Sequence, residues 1–307
     1  MSYADRDGVI WMDGAMVPWR DANTHVLTHS LHYATGAFEG IRAYKTERGT
    51  AIFRLAEHIN RLYDTTHILG MKMTLDRAVV MQACLDCVRE NKLETAYLRP
   101  LAYYGSEGMG LHAGNLSVHV IVAAWFWGAY LGGDALEKGI RIKTSSFTRN
   151  HVNSVLSKAK ATGNYLNSIM ALQDAARDGY DEVLLLDKDG MVAEGSGENF
   201  FMVRNGVLYT PDPVCALEGI TRDTVMRLAQ EEGIKVVEKR ITRDEIYIAD
   251  EAFFTGTAAE VTPIRELDNR AIGEGKPGPI TQRLQKAYLD TVQGQRACPD
   301  GWLTLVN

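Results

Sequence analysis

Cysteine is scarce in this chain. Four are present among 307 residues, Cys84, Cys87, Cys215 and Cys298, which argues against a disulfide scaffold and suggests a reducing compartment. Cys84 and Cys87 form a C-x-x-C, readable as half a zinc site or as a redox pair, but no second C-x-x-C completes a metal cage. The pair also falls in a helical pattern in which Val80, Cys84, Cys87 and Val88 share an apolar face, so buried core thiols are the plainer expectation. Long apolar runs are missing too. None approaches the roughly 20 residues that span a bilayer. Residues 1–11 show no basic region leading into an apolar stretch, so no signal peptide is expected and the chain should be cytoplasmic. Also missing are a G-x-x-x-x-G-K-[ST] loop, a G-x-G-x-x-G at an expected strand–helix junction and a G-x-S-x-G elbow. Nucleotide-dependent chemistry and serine hydrolysis are therefore not indicated. Positive charge is not in excess: 33 basic residues face 39 acidic ones, net −6, spread along the chain. Nucleic-acid and membrane-surface partners, which want a basic patch, are not expected.

What is present is the balance of a globular protein, with 46% hydrophobic and 23% charged residues, in a length that suits two domains of ordinary size. The start reads as a hairpin, strands at 9–12 and 15–19 around Asp13-Gly14. A strand at 51–54 runs into a helix at 56–69 whose face carries Ile59, Leu62, Tyr63 and Thr66, with Gly70 as its stop. A second helix is expected at 75–91, then two β-rich runs at 95–104 and 117–127. Residues 1–127 thus read as a small α+β domain, and the Gly-rich 128–139 as an interdomain linker. In 140–307, a larger domain, strands at 140–145, 182–186, 199–203 and 235–238 alternate with helices at 163–178 and 221–232, with turns at Asp189-Gly190 and Asn205-Gly206. A last helix covers 280–292.

Three segments are too polar and too rich in glycine for ordinary packing, yet each lies in apolar sequence. The first runs Ser157-Lys158-Ala159-Lys160-Ala161-Thr162-Gly163-Asn164-Tyr165. The second is Ala193-Glu194-Gly195-Ser196-Gly197-Glu198-Asn199-Phe200, and the third Phe254-Thr255-Gly256-Thr257-Ala258-Ala259-Glu260. A lysine among small residues suits an amine that must enter a confined site, and an acid beside glycines suits close backbone approach to a ligand. Thr257 to Glu260 imitates a T-x-x-E capping box, but Pro263 follows too soon for a helix, so a functional turn is expected.

Together these segments resemble the class IV aminotransferases, with the branched-chain amino acid pattern within that family. The matching stretches run over essentially the whole chain: 11–19, His32-Tyr33-Ala34, Phe38-Glu39-Gly40-Ile41-Arg42, Phe53-Arg54, Glu57-His58, Arg61-Leu62, 97–100, Gly108-Met109-Gly110, 127–131, 163–166, 194–199, 219–223, 247–251 and 256–263. The resemblance implies a two-domain α+β and α/β fold of the fold type IV, D-amino acid aminotransferase-like kind. It also implies pyridoxal 5′-phosphate as cofactor, with amino acids and 2-oxo acids as substrates. A homodimer unit, or a hexamer assembled from such units, is implied as well.

Each role it implies has a physical need behind it. Lys160 would hold the cofactor aldehyde as a Schiff base, and its freed amine, which must be neutral, would carry the proton. Lys158 is the internal rival, and the spacing to Gly163-Asn164-Tyr165 favours Lys160. Glu194 would pair with the pyridine nitrogen and keep it protonated, with Glu198 as competitor, while Tyr165 would bond the ring phenolate oxygen. Arg61, the helix start at Ile220-Thr221 and Thr257 would hold the phosphate. Read alone, Arg61 could be a surface residue paired with Asp64 or Glu57. On the substrate side one site must accept both a branched aliphatic group and the glutamate carboxylate. Aromatic side chains around an arginine meet that need: Tyr33, Phe38, Tyr97, Trp127 and Tyr130 with Arg99, close to Gly40. Read alone, an aromatic stripe is ordinary core. Tyr97 and the N–H groups of Thr257 and Ala258 would take the α-carboxylate, and Met109 and Leu111 would come from a neighbouring subunit. The same fold and cofactor serve D-amino acid aminotransferases and aminodeoxychorismate lyases, which differ in the N-terminal domain. A cofactor-carrying protein without turnover is the outsider.

Overall fold

The computed structural model describes residues 2–128 and 132–307. Its elements run β1 (Val9–Met12), β2 (Ala15–Pro18), α1 (His29–Tyr33), β3 (Gly36–Phe38), β4 (Ile41–Thr46), β5 (Gly49–Phe53), α2 (Leu55–Ile68), α3 (Arg77–Glu90), β6 (Ala96–Tyr104) and β7 (Val118–Trp125). They continue with α4 (Gly133–Lys138), β8 (Ile140–Thr148), α5 (Tyr165–Arg177), β9 (Glu182–Leu186), β10 (Val192–Glu194), β11 (Asn199–Arg204), β12 (Val207–Thr210), α6 (Ile220–Glu231) and β13 (Val236–Glu238). The last are α7 (Arg243–Tyr247), β14 (Glu251–Gly256), β15 (Glu260–Leu267), β16 (Arg270–Ala271), α8 (Pro279–Val292) and β17 (Leu303–Leu305). Two compact units form. The first takes residues 1–127, 159–163 and 292–307, and the second 128–158 and 164–291. The first unit thus ends its long segment at Trp127 and takes in two pieces, around Lys160 and at the C-terminus, that sequence reading assigned to the larger domain. α4 occupies the stretch expected to be linker.

In the first unit an antiparallel sheet runs β17-β5-β4-β6-β7-β1-β2, with β3 also paired to β6. The Asp13-Gly14 turn closes β1 on β2 with both residues at positive φ, 47° and 104°, which glycine at the second position tolerates without strain. One sheet face is covered by α2 and α3. Leu55, Ile59 and Leu62 of α2 and Val80, Cys84, Cys87 and Val88 of α3 are buried there with Ala96, Leu98 and Ala102 of β6. Cys84 and Cys87 are core thiols whose burial pushes their pKa up, that of Cys87 to about 12. Strand alternation then sends Tyr97, Arg99, Leu101 and Tyr103 to the opposite face. Residues 159–163 lie along β3: Phe38 N–H donates to Lys160 O at 3.1 Å, and Ala37 and Ala161 form a bridge.

In the second unit the sheet order is β10-β9-β8-β15-β14-β11-β12-β13, with β16 on β15. The chain passes from Glu194 at the end of β10 to Asn199 at the start of β11 in five residues, which reach at most about 18 Å. In a flat sheet the five intervening strand intervals would put them about 24 Å apart. The sheet must therefore curl, and the short 195–198 turn closes the curl. Inside it lie Ile142, Leu184, Val192, Phe200, Met202, Phe254 and Ile264. Val183 and Leu185 point the other way onto Ala171 and Ala175 of α5. Asn205 and Gly206, at φ 51° and 74°, make the tight β11–β12 turn. The Thr257–Glu260 stretch is a strand connection, as Pro263 requires. A capping box does occur at Thr242, where the Glu245 side chain answers the cap at the start of α7.

Candidate active site

In the first unit, Lys160 is half-buried. Its N–H donates to Thr65 Oγ1 at 3.0 Å, its carbonyl accepts from Phe38, and its Nζ lies 4.9 Å from the Phe38 ring centroid. Phe38 lies on β3 and reaches Arg99 as well, whose guanidinium carbon is 4.7 Å from the same ring. Arg99 also donates to the Tyr97 hydroxyl at 2.9 Å, and its Nε is buried without a hydrogen-bond partner. Tyr97 packs edge-on against Trp127, with ring centroids 4.6 Å apart. Gly40 has to be glycine here, because a Cβ would lie 2.2 Å from the Tyr97 hydroxyl. The first unit therefore gathers Lys160, Phe38, Gly40, Tyr97, Arg99 and Trp127. Tyr33, Met109 and Leu111 are exposed on this unit, at 38%, 49% and 87%. The Met109 segment is tied to α1 by His29 Nε2, 2.7 Å from Gly110 O. Tyr130 lies outside the described residues.

In the second unit, Glu194 is buried at the end of β10. Its Oε1 accepts from Arg149 Nε at 2.7 Å and its Oε2 from Leu217 N–H at 3.3 Å. Leu217 is held from its other side too, its carbonyl accepting from Asn199 Nδ2 at 2.9 Å. The 194–199 segment thus fixes the approach to α6, whose N-cap is Gly219 with no side-chain cap. A Cβ on Gly219 would fall 1.9 Å from Asn199 Oδ1. The first turn of α6 carries Ile220 and buried Thr221, and the N-terminal end of a helix favours an anion. Tyr165 opens α5, half-buried, and Thr257 and Ala258 form the half-buried turn between β14 and β15. Glu198 turns elsewhere: its Oε2 accepts from Gly197 N–H at 2.9 Å. Lys158 is exposed, bound to Glu218 at 2.8 Å and to the Pro213 carbonyl.

Arg61 is no surface residue of the kind the alternative reading described. Glu57 pairs with Arg54, whereas Arg61 donates from Nε and Nη2 to Glu39, at 2.6 and 3.0 Å. Glu39 is fully buried and also meets His58 Nδ1 at 2.7 Å. Burial alone would raise the Glu39 pKa, but Arg61 and His58 overcome it and hold the carboxyl far below the ordinary range. Burial keeps His58 neutral, its pKa lowered, so its Nδ1–H donates to Glu39. Arg149, Glu39 and His58 were not singled out as site residues from the sequence. Glu39 and His58 lie within matching stretches, whereas nothing near Arg149 marks it.

This trio sets an expectation. Removing Arg61 strands a buried carboxylate, so Arg61→Ala should cost about 3–5 kcal/mol of stability. Adding Glu39→Gln removes that stranded charge, so the double variant should recover much of the loss. Urea unfolding checks this. Additive losses would show that the pair contributes nothing as a pair.

The chain belongs to the aminotransferase class IV family: the description "Amino-transferase class IV" matches residues 36–267. Among individual proteins it is 60% identical over 306 residues to the branched-chain-amino-acid aminotransferase of Pseudomonas aeruginosa, covering 100% of both chains. Its structure is similar to that of a T.th. branched-chain amino acid aminotransferase with pyridoxamine 5′-phosphate, at TM-score 0.96 and 50% identity, covering 98% and 99% of the chains. The same T.th. enzyme complexed with N-(5′-phosphopyridoxyl)-L-glutamate is similar at TM-score 0.95 and 49% identity, over 98% and 99%.

Proposed function

We propose that this chain is a pyridoxal-phosphate-dependent aminotransferase that exchanges the amino group between L-leucine, L-isoleucine or L-valine and 2-oxoglutarate. The products are branched-chain 2-oxo acids and L-glutamate, the last step of branched-chain amino acid biosynthesis. The observation that carries the substrate reading is Arg99. It stands among Phe38, Tyr97 and Trp127, and among the described residues no carboxylate pairs with it. An aromatic enclosure takes an aliphatic side chain by burial, and an arginine without a carboxylate takes the glutamate side chain by charge.

The residues present suit the cofactor. Glu194 beside Arg149 is a buried carboxylate that suits a cationic ring nitrogen, and the N-terminal end of α6 suits a phosphate. When bound, the cofactor supplies an electron sink for the charge left at the substrate α-carbon. Lys160 Nζ would hold the cofactor covalently and, when free, would carry the α-proton. Tyr165 would donate to the ring phenolate oxygen, and Glu194 would hold the proton on the ring nitrogen. Arg61, Ile220, Thr221 and Thr257 would hold the phosphate, and Tyr97, Thr257 and Ala258 would orient the α-carboxylate. The exposed apolar side chains Val26, Leu31, Met109 and Leu111 suit burial against a second copy of the chain. The working form is then a homodimer, or a hexamer assembled from three such dimers, in the cytoplasm. Among the described residues no helix is long and apolar enough to cross a membrane.

The direct test is the absorbance spectrum of the purified protein before and after leucine. The band of the lysine-bound cofactor should fall as that of the aminated cofactor rises, and 2-oxoglutarate should reverse it. No response to leucine with a response to D-alanine would move the chain to another member of the fold.

Arg99→Leu should separate the two substrates. A desolvated carboxylate without its cation costs several kcal/mol, about 10²-fold or more in rate, while an aliphatic side chain loses no partner. Single-turnover rates should therefore fall far more for glutamate than for leucine. Equal losses would make Arg99 structural or a ligand of the shared α-carboxylate, with Arg42 the next candidate for the glutamate side chain.

A further inference from the structure

A second buried acid lies beneath the turn that carries Glu194. Glu182, the first residue of β9, has no exposed surface. Its Oε1 accepts from Val183 N–H at 2.7 Å and from Ser196 N–H at 3.4 Å, and its Oε2 lies 2.9 Å from Ser196 Oγ. Glu198, also buried, binds the next peptide of the same turn through Gly197 N–H. The turn is closed by Gly195 N–H donating to Glu198 O at 2.7 Å. It is tight around Glu198: a Cβ on Gly195 would lie 2.9 Å from its carboxylate and 3.1 Å from Phe254. Two carboxyls, on either side of one two-residue turn, therefore set the course of the chain between Glu194 and Asn199.

Among the described residues no cation pairs with Glu182. The charged groups on the elements around it are committed elsewhere. On β8 Arg141 binds Glu266, and Lys143 lies between Asp174 of α5 and Asp178 at its C-terminal cap. Arg149 belongs to Glu194. What acts on Glu182 is its burial and the like charge of Glu198, against the three donors on its oxygens. Burial and Glu198 win, raising its pKa well above the ordinary carboxylate value. Two neighbouring buried carboxyls do not both ionise when one proton can be shared.

We propose that Glu182 is a positioning residue of this enzyme: a neutral carboxylic acid that, through Ser196, holds the 195–198 turn and so keeps Glu194 on Arg149 and Leu217. The link to catalysis rests on the reading of Glu194 as partner of the ring nitrogen. The protonation state of Glu182 does not.

The test compares wild type, Glu182→Gln and Glu182→Ala as full-length holoenzymes, reading Tm from pH 5 to 9, the cofactor spectrum and cofactor retention on dialysis. An acid whose pKa is raised by folding keeps a proton that the unfolded chain releases. Its contribution is complete below the unfolded value of about 4.3 and is lost as pH rises toward the folded value. Wild-type Tm should therefore fall over this range. Glu182→Gln, a neutral stand-in, should melt at or above wild type at pH 8 with a flatter profile, and should keep the spectrum and retention. Glu182→Ala leaves Ser196 without its partner and should weaken retention about tenfold, the scale of one lost buried hydrogen bond, with a spectrum shifted toward that of Glu194→Gln. An unchanged pH profile in Glu182→Gln, or losses there equal to those of alanine, overturns the neutral acid. A lower Tm in Glu182→Ala with wild-type spectrum and retention overturns the positioning role. Wild-type turnover in Glu194→Gln would instead sink the reading of Glu194 and leave the Tm comparison standing.

Discussion

Lys160→Ala should abolish turnover and remove the absorbance band of the lysine-bound cofactor, whereas Lys158→Ala should keep both. The two lysines are two residues apart and in very different settings. Lys158 is exposed and already engaged by Glu218 and the Pro213 carbonyl, an arrangement of little energetic weight at a surface. Lys160 is pinned by its backbone on both sides, to Thr65 and to Phe38, which fixes the origin of its side chain beside the Phe38 ring. Proton transfer by a positioned base alone contributes about 10²–10⁴-fold, and loss of the covalent link adds to that. Any residual cofactor in Lys160→Ala should be held only by its phosphate and ring contacts. If the band vanishes in Lys158→Ala and survives in Lys160→Ala, the two roles are exchanged.

Sequence could separate these lysines only by their spacing to Tyr165. What distinguishes them physically is long-range: Thr65 lies 95 residues away. The same divide runs through the rest of the molecule. Elements with strong local signals were legible, such as the Asp13-Gly14 hairpin, α2 with Ile59 and Leu62 on its buried face, and the β-rich β6 and β7. Strands β3 and β4 were not, because in 36–46 small, charged and aromatic residues follow one another without a clean period of two, and pairing with β6 makes them strands. Strands β14 to β16 were likewise invisible one by one, since 251–271 reads as turn-rich. Among site residues, Tyr97 and Arg99 were legible through the family resemblance, and strand alternation in β6 puts both side chains on one face. The Glu39–His58–Arg61 cluster was not, because it joins residues 19 and 22 positions apart on β3's exit and α2. Composition cannot mark Arg149, a single arginine at the end of β8 whose meaning comes from Glu194, 45 residues on.

Glu194→Gln should leave the fold and cofactor binding in place and slow removal of the substrate α-proton by several orders of magnitude. An amide cannot stabilise a proton on the ring nitrogen as a carboxylate does, and an unprotonated ring is a poorer sink for the charge left at the α-carbon. The substitution has one structural cost that must be kept apart from the chemical one. Arg149, nearly buried, loses its counter-charge, so Tm should fall, although the glutamine oxygen can still accept from Arg149 or Leu217. Glu198→Gln is the matched control. It lies in the same motif and is equally buried, but its carboxylate serves Gly197, so turnover should stay within a fewfold of wild type. Rates of the leucine half-reaction, taken well below the Tm of each variant, separate chemistry from stability. The substrate deuterated at the α-carbon adds a readout that a merely loosened fold would not give. In Glu194→Gln proton removal becomes the slowest step, and the isotope effect should rise toward its full value. Near wild-type rates in Glu194→Gln together with a large loss in Glu198→Gln would transfer the ring-nitrogen role to Glu198, and Arg149 would then be holding an acid that takes no part in the reaction.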